Sequence, residues 1–301
     1  MTEYICKYTP VELLSGFGAT CVLYNLSAEQ FSQAARVMHR NVCAFSRALL
    51  EHRLEAGDTP LILTNCCDSI RRTGDVLSVR GQDVFTIDLP HSNGRSARRF
   101  YQKELLRLME TYEAFSHQAF DCEKFRAACG EEKKRPAGHY ILLLGARMSE
   151  DLLEHITSAS PLPVLNGMCT GNRTVEKAPQ GNDRKRLMAW YAEELLSQPP
   201  CMRMTDIKAR EKQIEDRDLA GIIYNTVSFC DYYSFEYGKA EKKRSVPILK
   251  LETDYTVQSA AQLKNRLDAF FETLRLPRKK ECFAGAPIQE KNRGQQYFAG
   301  V

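Results

Sequence analysis

No apolar run in this 301-residue chain approaches the roughly 20 residues that a membrane-spanning helix needs. The amino terminus, with Glu3 and polar interruptions, lacks the charged-then-apolar pattern of a secretory signal. These two absences make the cytoplasm the expected address and argue against a membrane partner. Charge of one sign is missing as well. Lys and Arg number 42 against 38 Asp and Glu, a net +4, so the whole-molecule field offers nothing to nucleic acid. Zinc spacing is also absent: no two cysteines form a Cys-x-x-Cys pair, and His39, His52, His91, His117, His139 and His155 form no ligand cluster. What the chain does have is eleven cysteines, many and odd in number. In an unexported protein that count argues against a disulfide framework and for reduced thiols, serving either as small buried hydrophobes or as metal ligands. With 43% hydrophobic and 27% charged residues, the chain has the composition of a soluble globular protein of one large or two ordinary domains.

The stretch 60–72, Pro-Leu-Ile-Leu-Thr-Asn-Cys-Cys-Asp-Ser-Ile-Arg-Arg, is the centre of the sequence. Leu61, Ile62 and Leu63 form a run of the length of a buried parallel strand, and Asp68 onward reads as the following helix. Cys66 and Cys67 then stand at the carboxyl end of a strand, where open α/β sheets bind ligands. The same alternation runs through the chain. Strands are expected at 20–24, 60–65, 83–89, 140–144, 164–165, 219–229 and 246–251. Helices are expected at 10–18, from the Ser27 capping box through Met38, from Phe45 to Gly57, from Asp68, at 95–115, 122–129, 150–156, 186–196, 210–218 and 258–274. Cys43 falls between two of these helices, where a helix dipole favours a thiolate, although a buried cysteine fits the position equally. Arg95, Arg98 and Arg99 read either as a solvated helix end or as a phosphate site.

The charged, proline-containing segment 131–138 reads as a linker, dividing the chain into an N-terminal α/β domain, 1–135, and a C-terminal α/β domain with a basic tail, 136–301. Two βα-alternating halves place Cys67 and Cys230, each followed by Asp, at equivalent strand ends. The cleft between the halves would then hold Cys67 and Cys230, with Cys43, Cys169 and Cys201 as further candidates. Thiolates converging from separate elements without zinc spacing are what an iron–sulfur cluster needs.

Five segments in order carry a family resemblance: Asn41-Val-Cys43-Ala-Phe45, Thr64-Asn-Cys-Cys67-Asp-Ser-Ile-Arg-Arg72, Cys169-Thr-Gly-Asn-Arg173, Gly221-Ile-Ile-Tyr-Asn-Thr-Val-Ser-Phe-Cys230-Asp231 and Leu249-Lys-Leu-Glu-Thr-Asp-Tyr255. Over nearly its whole length the chain resembles the component subunits of 2-hydroxyacyl-CoA dehydratases, relatives of benzoyl-CoA reductase subunits and double-cubane cluster proteins. The resemblance implies two Rossmann-like or flavodoxin-like parallel-sheet domains with a [4Fe-4S] cluster in the cleft between them. It implies Cys43, Cys67 and Cys230 as the ligands of that iron, with Cys66 the alternate to Cys67. It also implies a lyase of anaerobic metabolism in which an ATP-dependent activator protein injects one electron. The thioester carbonyl of an acyl-CoA substrate becomes a ketyl radical, water leaves, a 2-enoyl-CoA forms, and the electron is recycled. A paralogous subunit in a heterodimer, or a second copy in a homodimer, is the implied partner.

No protein side chain is assigned as catalytic, since the cluster itself carries the chemistry; Arg173 is a candidate substrate contact or a salt bridge across the cleft. Glu252 and Asp254 either orient the site or cap the helix from 258. Family subunits usually carry extra helical segments between the domains, and this chain passes almost directly from Cys129 to the strand at Tyr140. That leaves open a smaller electron-relaying partner subunit, without catalysis of its own. A low-potential ATP-dependent reductase of the double-cubane or benzoyl-CoA reductase type is the other alternative, with Cys66, Cys169 and Cys201 as spare thiols. Neighbouring side chains diverge, so Cys66 and Cys67 are not expected to ligate one cubane together. The expectation is a single cluster.

Overall fold

Short apolar runs that end at asparagine, glycine or valine become parallel strands, and amphipathic segments between them become the crossovers. The computed structural model describes residues 1–130, 136–206 and 208–275. The first half runs β1 (Thr2–Tyr4), α1 (Val11–Ser15), β2 (Cys21–Leu23), α2 (Ala44–Ala56), β3 (Leu61–Asn65), α3 (Asp68–Val79), β4 (Val84–Asp88), α4 (Arg95–Ser116) and α5 (Cys122–Ala128). The second runs β5 (Tyr140–Gly145), α6 (Glu150–Ala159), β6 (Val164–Asn166), α7 (Arg184–Leu196), α8 (Lys208–Ile214), β7 (Leu219–Val227), α9 (Asp231–Lys243), β8 (Ile248–Thr253) and α10 (Val257–Arg275).

The strands form two four-stranded sheets, ordered β2-β1-β3-β4 and β6-β5-β7-β8, with every pairing parallel. Each half therefore repeats one doubly wound order, in which the chain reverses its direction of travel between its first and third strands. Crevices at the carboxyl ends of those two strands are where such sheets bind ligands. The central strands are buried on both faces, and Leu61, Ile62, Leu63, Ile141, Leu142 and Leu143 are fully enclosed. Each such side chain contributes about 1.5–3 kcal/mol relative to leaving it in water.

The two sheets share their cores. One apolar cluster joins Leu61, Leu63 and Leu49 of the first half to Leu142, Leu144 and Tyr224 of the second. Another joins Tyr101 and Leu105 on α4 to Leu187, Met188 and Tyr191 on α7. Across that seam Arg173 and Glu12 form a bidentate ion pair, with side chains 12% and 7% exposed. Arg173 also donates to the Lys7 carbonyl at 2.8 Å, and Tyr191 donates to the same Glu12 carboxylate.

Three expectations need correction. The helix expected from Ser27 to Met38 is a loop with one 3-10 turn, Ala34–Arg36. Tertiary partners take its backbone groups: Ala28 N–H donates to Tyr255 O, Val257 N–H donates to Ala28 O, and Glu51 accepts from Gln33 N and Ala34 N as well as from the Ser32 hydroxyl. The first strand is Thr2–Tyr4, a three-residue strand too short to carry a period, and 21–23 is the second. Helix α9, whose aromatic and glycine-containing sequence has no clear apolar stripe, was not anticipated at all. The expected boundary at 135/136 falls between the sheets; residues 131–135 and the tail from Pro277 lie outside the described residues.

Candidate functional site

Seven cysteines, Cys6, Cys43, Cys66, Cys67, Cys169, Cys201 and Cys230, line one cavity between the carboxyl ends of the two sheets. Among the described residues no carboxylate or imidazole lines it; its other polar groups are Ser46, Tyr233, Arg147 and Arg203, and the rest of the wall is apolar, including Ile5, Phe45, Ile70, Leu89 and Val227. An open groove, lined in part by Asn65, Arg71, His91, Phe100 and Tyr232, shares Cys66, Cys67 and Leu89 with this cavity.

The three cysteines expected as ligands occupy one structural position. Cys43, Cys67 and Cys230 are the residues immediately before α2, α3 and α9. None makes a capping hydrogen bond of ordinary geometry, yet the amides of the following turn face the sulfurs: Phe45 and Ser46 toward Cys43, Ser69 and Ile70 toward Cys67, and Tyr233 toward Cys230. Helix amino termini stabilise thiolates.

The cavity thiols also pair. Cys43 neighbours Cys230, and Cys66 neighbours Cys67, each pair sharing a proton. That sharing holds the Cys67 and Cys230 thiols well below the ordinary value, with Arg203 adding to the effect, while Cys43 and Cys66 are pushed up. Cys66 and Cys67 do not diverge as expected. Cys66 N–H donates to Thr64 O at 2.7 Å, which bends the chain, and Cys67 is fully extended, so both side chains reach the same cavity.

Local geometry at the strand exits makes this convergence. Gly145 ends β5 with φ +89°, and a Cβ there would lie 2.1 Å from the Asn225 carbonyl oxygen of β7, so only glycine lets the two central strands approach. Phe229, at φ +61°, turns the chain from β7 into Cys230.

Residues that sequence reasoning missed complete the lining. Cys6 leaves β1 beside the exit of β3 and acts electrostatically on Cys201 and Cys169 as one group; burial pushes its thiol up to about 12. Its signal was an unrecognised short strand. Lys7, next to Cys6 but outside the lining, is 1% exposed and donates to the Pro199 carbonyl, and burial pulls its pKa down to about 8. Arg203 donates to Cys66 O at 3.2 Å and stacks over the Tyr232 ring at 4.4 Å. Burial works against its charge, but Cys66 and Cys67 more than offset this and raise its pKa.

Other expectations fall elsewhere. Arg173 is engaged with Glu12 and is absent from the cavity lining. Asp254 accepts from Thr256 N, Thr256 Oγ1 and Ser259 Oγ at the start of α10, the arrangement of a cap. Glu252 accepts from Ser228 Oγ. Arg98 bonds Asn93 and pairs with Glu193.

No three His, Cys, Asp or Glu side chains among the described residues are gathered closely enough to hold a single metal ion. A cluster takes its thiolates at separate irons, so it requires a wider spread than a mononuclear site. Soft sulfur donors without a carboxylate or imidazole suit an iron–sulfur cluster or zinc rather than calcium or magnesium, and their spread favours the cluster over a single zinc ion. Among the described residues no helix is long and apolar enough to cross a membrane. A family profile, 2-hydroxyglutaryl-CoA dehydratase, D-component, matches residues 6–137 and 130–274. Curated proteins give no match.

Proposed function

The chain belongs to the 2-hydroxyglutaryl-CoA dehydratase D-component family, and from that membership and its thiol-lined cavity we propose that it is the [4Fe-4S] subunit of a 2-hydroxyacyl-CoA dehydratase-type enzyme. The observation that carries the reading is the convergence of Cys43, Cys67 and Cys230, each at a helix amino terminus, on one cavity. These three sulfurs would hold the cluster, with Cys66 the neighbour that shares a proton with Cys67. When bound, such a group supplies one-electron reduction and an iron with an open site that polarises a carbonyl or hydroxyl oxygen.

The chain's own residues do the rest. Ile5, Phe45, Ile70, Leu89 and Val227 keep the cavity apolar and exclude bulk water, which protects a radical and strengthens every charge inside. Arg203 holds positive charge beside Cys66, Cys67 and Cys230 and favours their ionised forms. The groove running past Cys66, Cys67, His91 and Tyr232 gives an acyl-CoA thioester a route to the thiols. An ATP-dependent activator would supply the electron, which returns at the end, so the net reaction is loss of water to give a 2-enoyl-CoA. A paralogous subunit or a second copy would complete the enzyme.

A second reading has its own support. Cys6, Cys169 and Cys201 form a further thiol group in the same cavity, beside buried Lys7. That set favours a low-potential reductase with a second cubane. Anaerobic assay of the iron-loaded chain with an activator ATPase, ATP, a reductant and a 2-hydroxyacyl-CoA separates the two: enoyl-CoA formation with catalytic rather than stoichiometric electron use supports the dehydratase. Sustained electron consumption coupled to ATP, with no enoyl-CoA, supports the reductase.

A further inference from the structure

Arg147 lies two residues beyond Gly145 at the exit of β5, lines the thiol cavity and is 3% exposed. Its carbonyl is well held, accepting from Tyr255 Oη at 2.6 Å and Asn225 Nδ2 at 3.2 Å. Its guanidinium is not. Nη1 and Nη2 are both buried, and neither has a hydrogen-bond partner among the described residues. The other deeply buried arginines differ. Arg53 donates to Glu3, Arg210 to Glu236 and Arg173 to Glu12. The groups that act on Arg147 electrostatically are Tyr255, Cys169, Glu150 and Tyr4, and none bonds its Nη atoms.

An unpaired guanidinium removed from water is among the most unfavourable things a protein interior can contain, unless an anion arrives to meet it. Only one kind of anion is implied by the rest of this wall. Thiolate sulfurs and the inorganic sulfides they would hold form a net negative body that becomes more negative on reduction. Arginine presents two Nη groups in a fixed fork, suited to two acceptors at once.

We propose that Arg147 is the charge-compensating residue of this cavity, its Nη1 and Nη2 donating to sulfur atoms of the bound cluster and raising the cluster's reduction potential. The inference rests on the cluster assignment above. Hydrogen bonds to sulfur and local net charge are among the factors that set such potentials. The position has a counterpart: β1 and β5 are equivalent strands, and where β1 exits into Cys6, β5 exits into Arg147. One half thus contributes a thiol, and the other a cation, at matching places on the cavity wall.

The test uses the iron-loaded full chain, its Arg147→Gln and its Arg147→Lys variants, with iron counted in each and the potential followed by electron paramagnetic resonance during a redox titration. In Arg147→Gln the ratio of reduced to oxidised cluster at the wild-type midpoint falls about tenfold, which is about 59 mV for a one-electron couple. Arg147→Lys, which keeps the charge without the fork, falls between. A melting experiment gives a second readout with a change of sign. Without iron, Arg147→Gln melts higher than the wild type because an unpaired buried charge is gone; with iron, it surrenders iron to a chelator faster. An unchanged potential in a fully loaded Arg147→Gln, or loss of stability in both states alike, overturns the inference while leaving the cluster assignment standing. A wild-type chain that holds no iron overturns both.

Discussion

The two halves follow one strand order, yet they place different chemistry at matching exits. The third strand of each sheet ends the same way, β3 in Cys67-Asp68 and β7 in Cys230-Asp231, each cysteine opening a helix. The first strand of each does not: β1 leads to Cys6 and β5 to Arg147. Packing differs as well. The second half has an apolar cluster of its own, Ile141, Leu143, Leu267 and Phe271 among others, whereas both clusters that contain first-half residues also contain second-half ones. Symmetry of backbone therefore fixes where groups meet, and the side chain at each exit decides what the meeting can do. The dependence of the first half on the second keeps the shared cavity in register.

The largest expected effect comes from breaking the equivalent pair. Cys67→Ser and Cys230→Ser should each reduce iron from about four per chain to below about one, because a hydroxyl is a poorer iron ligand than a thiolate. Cys43→Ser should do the same. Full iron in Cys67→Ser alone would transfer its role to Cys66 and end the equivalence of the two exits.

Next comes the seam. Arg173→Met leaves Glu12 and the Tyr191 hydroxyl in a buried site without the cation, and should cost about 3–5 kcal/mol in urea unfolding. Replacing Glu12 and Arg173 together with apolar residues should cost less than Arg173→Met alone. A double variant as damaged as the single would show that the pair does not join the halves through its charge.

Leu267→Ala, in the cluster that belongs to the second half, should cost about 2–5 kcal/mol while leaving iron content unchanged. Loss of iron in that variant would show that the second half's private core also shapes the cavity. The smallest effect is expected at Cys122, which lies on α5 and does not line the cavity. Cys122→Ser should keep its iron within error, whereas a loss would extend the donor set beyond the strand exits. The parallel expectation for Cys282 concerns a position outside the described residues.

Much of this was legible from local signals. Apolar runs such as 61–63 and 140–144 name the central strands, and Cys67 and Cys230 stand where any parallel strand hands over to its helix. What escaped depends on contacts distant in sequence. β1 is three residues long and owes its existence to β2 and β3 on either side, so no local signal marks Cys6 as a strand-exit residue. The segment after Ser27 has a helix-start signal, but its amides are claimed by Glu51 and by the exit of β8. Arg147 and Arg203 carry no motif at all; their meaning lies in burial beside thiols that come from other elements.

Iron and acid-labile sulfide counted on the chain purified without oxygen decide whether the cavity holds a cluster. The expected result is a brown protein with about four irons and four sulfides per chain, the content of one cubane. A colourless chain, or one that carries zinc in place of iron and sulfide, contradicts it; about eight irons would keep the cavity's role and overturn the single cluster in favour of two.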